Sequence, residues 1–138
     1  VELLQGENAV ERLWENIIYT LSENGGEVMV TNVDEKDAVQ ESGGEIMEHL
    51  AQLKAHNITE RLLSCEGDSN FIMPKECYRW ISKEIFSSTS VTYIYENKVA
   101  YQLVANGLII LVHSNDAYLA EKKRFNYMWD NAQIPIEE

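Results

Sequence analysis

Apolar positions recur along this chain with two periods, and their alternation outlines its elements. Residues 1–5 (VELLQ) form a short apolar run that stops at Gly6 and reads as a first strand. Over residues 7–24, Val10, Leu13, Trp14, Ile17, Ile18 and Leu21 recur every three or four residues, the spacing of one helix face. Glu7, Glu11 and Glu15 fall on the other side, and acids near a helix start oppose its dipole. Asn24-Gly25-Gly26 stops the helix. Residues 27–32 (EVMVTN) are a second strand, and strand–helix–strand in so short a space implies a parallel βαβ unit with a right-handed crossover. Residues 33–44 are polar and acidic and end in Gly43-Gly44, a loop with at most a helical turn. Ile46, Met47, Leu50 and Leu53 predict a helix over 45–56 with Asn57 as its C-cap, and residues 58–65 (ITERLLSC) a third strand parallel to the second.

The second half changes character. Residues 66–70 are a polar turn, and Pro74 suits the first position of a short helix over 75–81. Residues 91–95 and 99–104 are rich in β-branched and aromatic residues and flank Glu96-Asn97-Lys98, an antiparallel pair. Ala105-Asn106-Gly107 reverses the chain again, and the apolar run at 108–113 (LIILVH) reads as a strand covered on both faces. Ser114 or Asn115 caps a closing helix, with Tyr118, Phe125, Met128, Trp129 and Ala132 near one stripe. The expected fold is a single α/β domain over 1–138. Its mixed sheet is parallel (βαβαβ) in the first half, built of antiparallel hairpins in the second, and flanked by helices.

A chain of 138 residues buries most of a core without disulfides or metals. Apolar residues make up 45% and charged residues 25%, far from a disordered profile. No apolar run approaches a membrane span and no signal or transit sequence opens the chain, so a cytoplasmic protein away from membranes is expected. Cys65 and Cys77 lack CxxC spacing and read as reduced thiols. The chain begins at Val1 rather than Met, the reading being a fragment of a longer protein. The net charge of −12 is uneven: residues 1–60 hold 13 acids and 3 bases, residues 61–138 hold 10 acids and 8 bases. Such a surface repels phosphate backbones, so no direct nucleic-acid binding by this segment is expected.

Complete catalytic motifs are absent. His49 and His56 stand two turns apart near Glu45 and Glu48, but HExxH needs a second histidine where Glu45 stands, so no metal or cofactor is expected. His113, three residues before Asp116, has the makings of a base oriented by a carboxylate, although a strand-end histidine bonded to backbone is the simpler account. Ser114 lacks a GxSxG elbow, and neither glycine pair forms a phosphate loop. Acid pairs are so plentiful that they carry little diagnostic weight. More suggestive are Phe71, Tyr78, Trp80 and Phe86 around Arg79 and Lys75, where an arginine beside rings suits an anion or a sugar. Tyr93, Tyr95 and Tyr101 on neighbouring strands form a pocket wall or a dimer surface if they share a face. The candidate ligand-binding residues are Tyr78, Arg79, Trp80, Tyr93, Tyr95 and His113.

The order GEVMVT, a helix, RLL, then EGD…P…YRWI, YIYENKVAYQL, a strand and a closing RFNYMWDNA helix resembles one domain type. It is similar to the phospholipase-D-like C-terminal domain of TrmB-type transcriptional regulators, over nearly the whole chain from Glu2 to about Ala132. That resemblance implies a winged-helix domain elsewhere in the protein, a homodimer, and a small-molecule effector such as a sugar. True phospholipase-D enzymes carry HxKxxxxD. By the resemblance its histidine and lysine would fall near Thr89 and Val91, and no HxK occurs anywhere. The expected function is therefore a non-catalytic effector-sensing or dimerisation domain of a regulator. Two alternatives stand beside it. One is a standalone interaction module or inhibitor whose acidic half, with Glu11, Glu15 and Glu41, docks a basic protein. The other is a hydrolase using His113 with Asp116 or a cysteine.

Overall fold

In the computed structural model, which describes residues 1–136, the elements follow these periods with a few instructive departures. The strands are β1 (Glu2–Leu4), β2 (Gly26–Val33), β3 (Ile58–Cys65), β4 (Tyr78–Ile81), β5 (Ser90–Tyr95), β6 (Lys98–Leu103) and β7 (Leu108–His113). The helices are α1 (Ala9–Leu21), α2 (Glu35–Ser42), α3 (Glu45–Ala55) and α4 (Asn115–Asn131). All seven strands form one mixed sheet in the order β1-β7-β6-β5-β2-β3-β4. Strands β2, β3 and β4 run parallel, and every other pairing is antiparallel. The result is a single α/β domain with a seven-stranded mixed sheet and four helices.

The sheet departs from the expected parallel βαβαβ start at its first strand. Strand β1 does not pair with β2 but lies antiparallel to β7 at the far edge, Glu2 opposite Leu111. The reason is burial. From Val28 to Thr31 every residue of β2 is buried, so it needs long neighbours on both sides. The eight-residue β3 and the six-residue β5 supply them, whereas β1 has three residues of which only Leu4 is buried. Helix α1 therefore crosses three intervening strands before β2 enters the centre of the sheet.

Two further departures are local. Residues 33–44 are not mainly loop: Asp34 caps α2, its carboxylate accepting from the Asp37 N–H at 3.0 Å. With almost no apolar periodicity, that helix rests on its cap and on packing against α3. The expected helix over 75–81 is only a 3₁₀ turn at Lys75–Cys77, followed by β4. The alternation of Tyr78 and Trp80 against Arg79 and Ile81 overrides the proline signal. Elsewhere the turns fall where expected, except that the C-cap of α3 is His56 and Asn57 follows it. Asn57 and Asn97 take the left-handed conformation (φ 57° and 59°) that asparagine tolerates. Ser114 caps α4 by accepting from the Ala117 N–H at 3.1 Å.

Helices α1, α2 and α3 cover one face of the sheet and α4 the other. On the first face, Leu13, Ile17 and Leu21 of α1 pack with Leu53 of α3 over Val28, Val30, Leu62, Ala100, Ile109 and Leu111. On the second, Phe125 and Trp129 of α4 pack over Met29, Leu63, Ile81 and Ile94. Burying each such side chain contributes about 1.5–3 kcal/mol. Among the described residues no helix is long and apolar enough to cross a membrane. Cys65 and Cys77 are free thiols.

Candidate functional site

The first face is not filled completely. Between α1, α2, α3 and the centre of the sheet lies a cavity of about 230 Å³. Its sheet floor includes Val30, Leu62, Glu60, Tyr93 and Gln102. Its walls include Trp14 and Glu11 from α1, Glu35 and Glu41 from α2, and His49 and Leu50 from α3. The strand period explains how a carboxylate reaches this floor. Ile58, Glu60 and Leu62 point to the same face of β3, and the two apolar members lie in the core. An acid standing between two core positions is an inward-pointing acid.

The two inner carboxylates behave as a coupled pair. Glu35 is 6% exposed, and its Oε2 accepts a hydrogen bond from the Tyr78 hydroxyl at 2.6 Å. Burial pushes its pKa up to about 7, opposed by that hydrogen bond and reinforced by Asp68 and Asp34. Burial, and then the charge of Glu35, push Glu60 up to about 8. The charge of one opposes ionisation of the other, so the pair keeps a proton that ordinary carboxylates lose. Tyr93 is half-buried beside both, and desolvation and the charges of Glu60, Glu35 and Glu41 raise its phenol well above the usual range. Held protonated, it donates to Gln102 Oε1 at 3.0 Å.

Histidine 49 stacks on Trp14 with ring centroids 4.9 Å apart and planes 9° from parallel. Burial lowers its pKa to about 4, so at neutral pH it brings no positive charge. Among the described residues seven acids line the cavity and no lysine or arginine does, so no cationic side chain there neutralises them. Several polar atoms here lack protein partners: Glu11 Oε2 is buried without a hydrogen bond, and Glu60 accepts none. Glu11, Trp14 and His49 also line a shallow outer groove between α1 and α3, whose rim adds Glu15, Glu45 and Glu48. Among the described residues, no cluster of histidine, cysteine and acids has the arrangement of a metal site.

Of the six residues singled out from sequence, only Tyr93 lines this cavity. Tyr78 adjoins it through Glu35, and its hydroxyl also accepts from the Ile72 and Met73 N–H groups, each at 3.1 Å. Arg79 lies on the opposite face, stacked over Trp129 at 4.7 Å and donating to the Trp129 carbonyl. Trp80 Nε1 donates to the Asp68 carbonyl. Tyr95 is fully buried and donates to Asn16 Oδ1 at 2.7 Å. His113 is exposed and pairs with Glu2 of β1 at 2.7 Å. The six do not converge on one place, because adjacent residues of a strand point to opposite faces. The aromatic group divides for the same reason. Phe71 packs on Tyr78 at 4.8 Å on the first face, and Phe86 joins the core under α4. Tyr101, opposite Thr92, turns toward Glu121 and Arg124 of α4 and shares no face with Tyr93 and Tyr95. Sequence reasoning missed Glu60, Glu35, Gln102, Trp14 and His49. The inward phase of Glu60 in β3 was the one readable signal.

No family model matches the sequence, and no curated protein does. Among solved structures, the chain superposes on TrmBL2, an archaeal chromatin protein described as showing a novel mode of DNA binding, with a TM-score of 0.65 at 12% identity. The match covers 96% of this chain and 52% of that one, so this chain spans about half the length of its structural neighbour. At that identity the likeness establishes a shared fold, the one found in a TrmB-like protein.

Proposed function

We propose that this chain is a non-catalytic effector-sensing domain of a transcriptional regulator, and that its effector binds in the cavity beneath α1, α2 and α3. The single observation that carries this reading is the cavity itself. It is a concave space floored by the sheet, with an aromatic wall and polar groups that the protein leaves unmatched. The fold shared with TrmBL2 supports a regulator. The absence of HxK from the sequence, and the position of His113 at an exposed rim paired with Glu2, support a role without turnover.

The cavity lies among three helices, and α2 holds Glu35 while α1 and α3 hold Trp14 and His49. A ligand touching all three favours one arrangement of these helices, and in a homodimer that preference is passed to attached DNA-binding domains. DNA contact belongs to those domains rather than to this surface, whose charge is −12. The test is a thermal-shift screen of small metabolites, sugars included, combined with sedimentation velocity. Stabilisation by a ligand of one chemical class and a dimer in solution are expected. A monomer that no metabolite stabilises defeats the proposal.

A further inference from the structure

We propose that the cavity binds a compact organic amine, held as its ammonium ion between Glu60 and Glu35. The inference rests on the effector-sensing reading and adds the ligand's chemistry. Its first ground is an inventory of unmatched groups. Glu60 makes no hydrogen bond or ion pair with the described residues. Glu35 commits only Oε2, to Tyr78, and its other oxygen has no partner. Gln102 is 8% exposed and spends its carbonyl on Tyr93, leaving its amide N–H groups unmatched. Glu11 Oε2 is buried and unmatched as well. Glu35 Oε1 and Glu11 Oε2 are acceptors, and Glu60 becomes one when its proton is displaced, so the partner that fits the set is a donor.

The second ground is charge. Every charged side chain in the lining is an acid. The groups facing Glu60 are Glu35 from α2, the Tyr93 phenol from β5 and the Cys77 thiol from the turn before β4. Glu35 is faced by Asp34 at the start of α2, by Asp68 after β3 and by Tyr78 of β4. From α3 comes the neutral His49 and from α1 Glu11. Among the described residues no lysine or arginine lines the cavity. A neutral polyol leaves the pair to keep its proton, whereas an ammonium ion takes that proton's place and compensates both carboxylates at once. The third ground is size. A volume of about 230 Å³ holds about eight groups the size of water at ~30 Å³ each, the scale of a short mono- or diamine. The acid-rimmed outer groove that shares Glu11, Trp14 and His49 draws a cation toward this space.

An ammonium ion is held most tightly when both carboxylates are ionised, so the ligand displaces the proton that the pair holds at neutral pH. An alkylamine stays charged up to about pH 10. Affinity therefore rises with pH between about 6 and 9, as the pair loses its protons and the ligand keeps its own.

The experiment is isothermal titration calorimetry of the purified chain with 1,4-diaminobutane, and in parallel with neutral mono- and disaccharides, across that pH range and in about 0.3 M salt to suppress surface condensation. The expected result is one diamine per chain, an affinity that rises at least tenfold from about pH 6 to about pH 9, and an affinity reduced at least tenfold in Glu60→Gln and in Glu35→Gln. Circular dichroism and the melting curve show that each variant is folded. Diamine binding undiminished in both folded variants overturns the assignment to this cavity. Saccharide binding without diamine binding overturns the amine and leaves the effector-sensing reading standing. No binding of either class, with no stabilisation by any metabolite, overturns both.

Discussion

Tyr78 shows how much a single polar atom does in this core. Its hydroxyl donates to Glu35 and accepts from two backbone N–H groups of the segment before β4. Removing it leaves a buried carboxylate and two amide hydrogens without partners. Tyr78→Phe is expected to destabilise the chain by about 2 kcal/mol in urea unfolding, where loss of an exposed hydroxyl costs nothing measurable. Because that hydrogen bond lowers the pKa of Glu35, the variant also shifts the Glu35 titration upward, which carboxyl-carbon NMR reads directly. Trp14 and His49 stack at the junction of the cavity and the outer groove. Neither ring's role was legible in sequence. The helical spacing of Trp14 reads as core, and His49 sits on a different helix.

At the scale of elements, the closing helix is held by arginines from the sheet as well as by burial. Arg61 of β3 pairs with Glu27 through two hydrogen bonds of 2.9 and 2.8 Å and donates to Asn126. Its guanidinium also lies over the rings of Phe125 and Trp129 at 5.1 and 5.3 Å. Arg61→Ala is expected to cost about 1–2 kcal/mol, since the partly exposed ion pair contributes little and the stacking more. Hydrogen exchange localises the effect: amides of α4 exchange faster while those of α1 keep their protection. At the other end of the molecule the turn from α1 into β2 depends on Gly25. Its φ is +70°, and a Cβ there meets the Asn57 carbonyl oxygen at 2.8 Å. Gly25→Ala combines backbone strain with a clash against backbone, and a loss of about 1–3 kcal/mol in unfolding free energy is expected. The exposed side of β4 is closed by a bridge between Trp80 and Gln133, which protects that edge from pairing with another chain.

At the scale of the whole molecule, the cavity acids make stability depend on pH in a definite direction. Glu35 and Glu60 have folded pKa values near 7 and 8, above the ordinary carboxyl value of 4.5. Between those limits the folded chain binds more protons than the unfolded one, so stability falls as pH rises, until both groups are ionised in both states. His49 works the other way. Its folded value near 4 lies below the ordinary 6.5, so its contribution rises with pH over that lower window and is complete above it. The two trends oppose each other below about pH 6.5, and from there to about pH 8 only the loss remains. Urea unfolding at several pH values is expected to show a decline of roughly 1–3 kcal/mol across the upper window. Glu60→Gln is expected to flatten it. A decline of equal size in that variant assigns the effect elsewhere.

Most element identities were determined by the sequence alone, because periods of two and three-to-four residues are local properties of the chain; α2 and β4, which lack a clear period or carry a competing proline signal, were not. The strands at 58–65 and 108–113, the hairpin through Asn97, the turn at Gly25-Gly26 and the cap at Ser114 all follow from side chains within a few residues of one another. The placement of β1 was decided only by the tertiary structure, since the competition for the edges of β2 is settled by strands more than twenty residues away. The same holds for the cavity. Glu60 comes from β3, Glu35 from α2, Gln102 from β6 and Trp14 from α1, and no spacing along the chain relates them. An acidic sequence offers many carboxylates. Which two are desolvated beside one another in the cavity, and so hold protons that ordinary carboxylates lose, is decided by the packing of three helices over one sheet.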